Sequence, residues 1–172
     1  MKISCPLNEK DIRKLKAGDE ISLSGTIYAA RDSAHKRFIE LIDRGEQLPF
    51  DIKDAVIYYV GPTPARPGQI IGSAGPTTSS RMDEYTIPLL EKGLKGMVGK
   101  GSRGEKVVGA IKKNKAVYFL AVGGAGALIS QSIKKSEIIA FPELGAEAVM
   151  KLQVKNLPCF VAIDSNGESI FR

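Results

Sequence analysis

The sequence predicts an α/β fold: a small, strongly curved sheet or barrel with helices packed outside it. Strand-like and helix-like segments alternate along the chain. The apolar runs that read as strands are short, and glycine or proline closes most of them. The 172 residues are 43% hydrophobic and 26% charged, enough apolar material for one proper core. A single domain over 1–172 is expected, with no internal repeat and no low-complexity tract.

Taken in order, "EISLSGTIY" (20–28) sets Ile21, Leu23 and Ile27 on one face, the period of a half-buried strand. "RDSAHKRFIELIDRG" follows as a helix whose stripe is Phe38, Ile39, Leu41 and Ile42, with Gly45 suited to its end. "AVIYYVGP" (55–62) is a continuous β-branched and aromatic run stopped by Gly-Pro, a buried strand. "GPTPARPGQ" (61–69) reads as a turn or rim, and "QIIGSA" as strand-like. "MDEYTIPLLEKGLKG" is helical, starting near Ser79 or Ser80, with Pro88 in its first turn or kinking it. A short strand at 96–101 and a helix at 104–115 come next, with Val107, Val108 and Ile111 inward. "AVYFLAVGG" (116–124) is the clearest strand, and "AGALISQSIKK" a small-residue helix. Strands at 137–141 and 159–164, a turn at 165–167 and a last short strand, "SIF", complete the pattern.

Composition also narrows function. The formal charge is +6, but Lys and Arg are scattered, Trp is absent, and no aromatic–basic stripe appears, so no nucleic-acid partner is expected. The longest apolar runs are too short to cross a bilayer, and the N-terminal segment lacks an apolar stretch with a cleavage site; a cytoplasmic location and no membrane partner are expected. Cys5 and Cys159 lie far apart without CxxC spacing and make neither a metal site nor a disulfide framework.

The densest chemistry is "GSAGPTTSSRMDEYT" (72–86). A glycine-rich turn ahead of a helix offers unpaired N–H groups and a positive dipole end. Thr77, Thr78, Ser79 and Ser80 add hydroxyls, and Arg81 adds a planar fork matched to a carboxylate. Ordinary capping, with Asp83 or Glu84 in the first turn, is the competing reading, though it accounts for one hydroxyl residue and not for Gly-Pro-Thr-Thr plus Arg. No GxxxxGK[ST] phosphate loop occurs. Lys100, in "GKGSRG" (99–104), either reaches the same pocket or is exposed on a glycine turn. Arg31 stands just ahead of its helix, with Asp32 suited to the helix N-terminus. His35, the lone histidine, is either the chain's one histidine acid–base group or makes a structural hydrogen bond.

In this order, "ARDSAH", "GPTTSSRMDEYT", "LKGMVGKG" and "GGAGALI…EIIAFPELGAEAV" resemble the β subunit of class I, iron–sulfur-dependent fumarate hydratases and their tartrate dehydratase relatives. The similarity runs from about Gly25 to the last strand. Ser80 departs from the more common Gly, and "GGAGAL" from "GGAAAL"; neither change removes a charged or hydroxyl group. The resemblance implies a swivelling β/α domain, akin to the mobile domain of aconitases. It implies reversible hydration of fumarate to (S)-malate, or alternatively dehydration of L-tartrate. It further implies a [4Fe–4S] cluster held by a separate α subunit, hence a hetero-oligomer, with a homodimer open to the isolated chain. Arg31, Thr77, Arg81 and Lys100 fall on the family's substrate-binding positions, and Thr77 on that of its suggested base. Outside the enzyme class, a non-catalytic anion- or nucleic-acid-binding domain is the alternative.

Overall fold

The computed structural model describes residues 1–121 and 125–171. Its strands are β1 (Lys2–Cys5), β2 (Glu20–Ala29), β3 (Val56–Tyr58), β4 (Gly96–Gly99), β5 (Val117–Leu120), β6 (Ile133–Ala140) and β7 (Val149–Ile163). The helices are α1 (Glu9–Lys14), α2 (Asp32–Asp43), α3 (Asp83–Glu91), α4 (Glu105–Asn114) and α5 (Gly126–Ser130). Strands β1 to β5 pair in parallel from neighbour to neighbour, whereas β7 runs antiparallel to β5, β2 and β6. Because β2 pairs with both β3 and β7, strands β2, β3, β4, β5 and β7 close into a five-stranded barrel. β1 and β6 extend it outside the closed ring. The expected curved sheet is therefore a closed barrel flanked by helices.

Side-chain alternation produces two cores. Val56, Tyr58 and Val60 point into the barrel with Leu23, Ile27, Val98, Phe119, Leu152 and Val161. Their neighbours Ile57 and Tyr59 point outward, with Met97 and Tyr118, against Phe38 of α2, Leu89 and Leu90 of α3, and Ile111 of α4. Strands apolar on both faces read as continuous runs, as "AVIYYV" does.

Several expectations change. β1 and α1 were not foreseen; α1 starts at a true N-cap, Asn8, whose side chain accepts from the Asp11 N–H. "QIIGSA" forms no strand; its Ile71 and Ala74 are buried in the barrel core, and the Tyr58 hydroxyl donates to the Ala74 carbonyl. Pro88 sits inside α3, which a 3-10 turn at Ser79–Met82 precedes. The helix expected over 125–135 ends at Ser130, and β6 already begins at Ile133. The strand expected at 159–164 is the end of the fifteen-residue β7. "SIF" contributes only a bridge from Ser169 to Ile163. The expected strand at 116–124 and the start of "GGAGAL" run into 122–124, outside the described residues.

Candidate functional site

In an open α/β sheet, ligands gather where parallel strands end, and the same rim of this barrel collects the residues singled out above. Arg31 follows β2 as the N-cap of α2 and makes no cap bond with its side chain. Glu147 serves that helix start instead, accepting from the Ser33 N–H and hydroxyl at 3.2 Å each. Freed from capping, the Arg31 side chain lies across the exit of β3. A Cβ on Gly61 would stand 2.7 Å from its Cδ and Nη1, so a side chain there would force Arg31 out of this crossing.

Thr77 reaches the same place by its backbone: its N–H donates to the Tyr59 carbonyl at 2.7 Å, and its carbonyl accepts from Lys100 N–H at 3.3 Å. Thr78 and Lys100 form a parallel bridge, and Ser79 N–H donates to the Lys100 carbonyl at 2.9 Å. The "GPTTSSR" loop thus continues the sheet alongside the end of β4, which brings Thr77 and Lys100 together. Arg81 comes from the following 3-10 turn. Its Nη2 lies 2.5 Å from Asp32 Oδ2, and Arg31 Nη2 lies 3.9 Å from the same oxygen. Asp32, expected only as a helix-start acid, is a carboxylate held between two guanidinium groups. Arg31, Thr77, Arg81 and Lys100 therefore share one open rim, apart from the clefts along Ile42–Ile52 and between 62–71 and β6.

His35 takes the structural role. It is fully buried, its Nδ1–H donates to the Arg31 carbonyl at 2.7 Å, and its ring packs against Tyr59 and Phe38. Burial, with a smaller contribution from nearby Arg103, pushes its pKa down to about 4, so it is neutral at pH 7 and out of a substrate's reach. Among the described residues, the buried side-chain polar atoms without a protein partner are Arg31 Nε, His35 Nε2 and the Tyr59 hydroxyl. All three lie at or just beneath the rim. Such unsatisfied groups are rare in native interiors and single out this region from the rest of the molecule.

Beneath the rim lies a residue that sequence reasoning missed. Arg103 has a completely buried side chain, pairs through Nε with Asp83 at 2.7 Å, and donates from Nη2 to Thr86 Oγ1 at 2.8 Å. Its guanidinium also stacks over Tyr59 and Tyr118. Burial alone would lower its pKa, but the Tyr59 oxygen and Asp83 more than offset this, and it stays charged. Nothing in "GSRG" separates such an arginine from a solvated one; only the tertiary contacts do.

The chain is an α/β barrel whose parallel-strand rim carries Arg31, Thr77, Arg81 and Lys100. Comparison with known proteins gives its family. The Fumarase C-terminus family model matches residues 1–172, and the chain belongs to that family. It is 40% identical to the aerobic class I fumarate hydratase of Salmonella typhimurium, over 97% of this chain and 30% of that protein. It is 44% identical to the anaerobic class I enzyme of Escherichia coli, over 88% of this chain and 28% of that one. A putative L(+)-tartrate dehydratase subunit beta from Methanocaldococcus jannaschii is 39% identical, over 96% of this chain and 88% of its own length. The chain thus spans less than a third of the two fumarate hydratases but most of the tartrate dehydratase subunit.

Proposed function

We propose that this chain is the β subunit of a two-subunit hydro-lyase that reversibly hydrates fumarate to (S)-malate, and that its part is to clamp the dicarboxylate. The observation that carries the reading is the gathering of Arg31, Thr77, Arg81 and Lys100 on one rim. The similarity to a tartrate dehydratase beta subunit over 88% of that relative supports a separate subunit.

The charge balance is apt. Arg31, Arg81 and Lys100 carry three formal positive charges and Asp32 returns one negative, leaving two for the two carboxylates of the substrate. Desolvating a dicarboxylate is costly unless cations replace the lost water. Arg81 offers a two-pronged grip on one carboxylate. Arg31, with its orphaned Nε, and Lys100 receive the other and stabilise the negative charge that builds when a proton leaves the adjacent carbon. Thr77 orients the substrate through its hydroxyl. A threonine hydroxyl is a weak base at neutral pH, so proton abstraction by Thr77 requires an alkoxide stabilised by these cations or a relay to a partner residue.

This chain's thiols do not fit an iron–sulfur cluster. Cys5 and Cys159 are buried in the barrel core; burial pushes the Cys5 thiol up to about 12 and Cys159 upward as well. Among the described residues no three His, Cys, Asp or Glu gather to hold a metal. The [4Fe–4S] cluster that the resemblance implies belongs, in this reading, to a cysteine-bearing α subunit, where it supplies Lewis-acid chemistry at the substrate hydroxyl.

Anaerobic co-expression with such an α subunit, followed by parallel assays on fumarate, malate and L-tartrate, tests the proposal. Turnover of fumarate is the expected result. Turnover of L-tartrate alone selects the second reading, which the beta-subunit relative favours. Duplex-DNA binding without dehydratase activity in the assembled complex overturns both, as does a stoichiometric cluster spectrum from the isolated chain.

A further inference from the structure

We propose that Arg103 and Tyr118 form a buried staple that sets the spacing between Lys100 and Arg81, and that both are positioning residues of the dicarboxylate clamp. The inference rests on the clamp reading above. Lys100 follows β4 and Arg81 lies in the turn before α3; their segments pair along the backbone only at Thr77–Ser79 and Lys100, before each chain diverges. The backbone pairing fixes Lys100 beside Thr78, and Asp32 holds the Arg81 guanidinium, but neither contact ties the segment after Lys100 to the one after Arg81. Two side chains beneath them join those loops. Arg103, three residues after Lys100, grips Asp83, two residues after Arg81, at 2.7 Å. The other oxygen of Asp83 accepts from Gly104 N–H at 2.8 Å, so one carboxylate ties down both the side chain and the backbone of the Lys100 loop.

The Tyr118 hydroxyl makes the second link, lying 2.7 Å from the Gly101 carbonyl and 2.7 Å from Ser79 Oγ. With a single proton, it donates to the carbonyl, which can only accept, and receives the Ser79 hydroxyl proton in return. The two links touch, because the Arg103 guanidinium lies 5.0 Å from the centre of the Tyr118 ring. Gly99 is part of the fit: a Cβ there would collide with Ser79 Oγ. A group of buried, mutually satisfied polar contacts that crosses between two ligand-bearing loops holds their geometry more strictly than apolar packing does.

The test uses the assembled α/β complex. Tyr118→Phe removes one hydroxyl, Ser79→Ala cuts the same link from its other side, and Arg103→Lys keeps the charge but loses the fork. Losing one buried hydrogen bond from the alignment should raise KM for fumarate about tenfold, with a smaller effect on kcat. The same Tyr118→Phe change made on Lys100→Ala should add almost nothing, because the residue it aligns is gone. Hydrogen exchange on the isolated chain gives a readout independent of turnover: segments 77–81 and 100–104 should exchange faster in Tyr118→Phe and in Ser79→Ala. KM within about twofold of wild type in Tyr118→Phe, Ser79→Ala and Arg103→Lys alike overturns the staple. Full additivity with Lys100→Ala, or unchanged exchange, does so too. If instead Lys100→Ala and Arg81→Ala leave kcat/KM intact, the clamp itself falls and this inference with it.

Discussion

The barrel interior and the layer beneath the helices bury similar residues but treat polarity differently. Inside the barrel, Leu23, Ile27, Val98, Phe119 and Leu152 meet with few polar atoms. Tyr58 hands its hydroxyl to Ala74, and the two thiols stay protonated. The helix-side layer is just as closed, yet it holds His35, Ser79, Thr86 and Arg103 and two of the three orphaned polar atoms. A polar group taken out of water without a partner costs stability. Such groups therefore persist where they serve something, and here they cluster under one rim. The interior holds the molecule together, and the outer layer fixes the geometry of the candidate site.

The widest separation between these regions should come from Phe119→Ala. Truncating a fully buried aromatic ring inside the barrel should cost about 3–5 kcal/mol, read as a lower unfolding midpoint in urea, with KM of the protein that remains folded unchanged. A fall in substrate affinity matching the fall in stability would erase the distinction.

Acid should act through the outer layer. His35 titrates near 6.5 when unfolded and at about 4 when folded, so between these values the unfolded chain binds the extra proton. The contribution is complete above pH 6.5 and drains away as pH falls towards 4, in total about 3 kcal/mol. Arg103, whose charge faces the ring, acts in the same direction as burial. Chemical melts at pH 7 and pH 5, compared with His35→Gln, check this: the substitution should flatten the acid loss.

On the rim itself, Arg81→Lys keeps the charge but loses the fork. Misplacing a reacting group by about 1 Å costs about a hundredfold in rate, so kcat/KM of the assembled enzyme should fall by about that factor. The melting point should move little, because the half-exposed Arg81–Asp32 pair is worth at most about 1 kcal/mol. Near-normal kcat/KM in an intact complex would return the arginine to a capping turn. The smallest effect belongs to the thiols. Cys5 and Cys159 should resist alkylation in the folded chain and react only after denaturation, since both are buried and protonated. Labelling at native conditions would show that the barrel interior opens.

Where the chain was legible, one physical signal was sufficient. β2 alternates because one face packs inward, and "AVIYYV" is continuous because both of its faces are buried. The four rim residues were legible through glycine-rich turns and through family resemblance, since spacing alone left capping open. β7 was legible only at its end because Lys155, Asn156 and Pro158 interrupt the pattern. The structure tolerates them by geometry: β6 pairs with β7 through Val154 and β5 takes over at Phe160, so residues 155–159 have no strand on that side. Proline gives up no ladder bond there. Asn156 adopts a left-handed backbone beside the irregular pairing at Leu23/Gly25, and its N–H goes to Ser24 Oγ. β6 was legible at 137–141, but its first half was hidden for a different reason, since Lys134 and Lys135 are exposed on an outlying strand and show no apolar period. Asp32 and Asp83 read only as helix-start acids and Arg103 carried no signal, and only long-range pairing reveals their use.

Closure of the barrel has a consequence for how this module travels between proteins. An open sheet severed from its neighbour leaves unpaired backbone groups that invite aggregation. Here five strands satisfy one another in a ring, and among the described residues only the short β1 and the lysine-bearing β6 lie outside it. Such a unit can be fused to another domain or encoded as its own polypeptide without rebuilding its hydrogen-bond ladder. Its relatives display both arrangements, as under a third of a long hydratase chain and as most of a separate subunit. Gene fusion and fission are thus mechanically cheap for this architecture, and selection is left to act on the loops of a single rim.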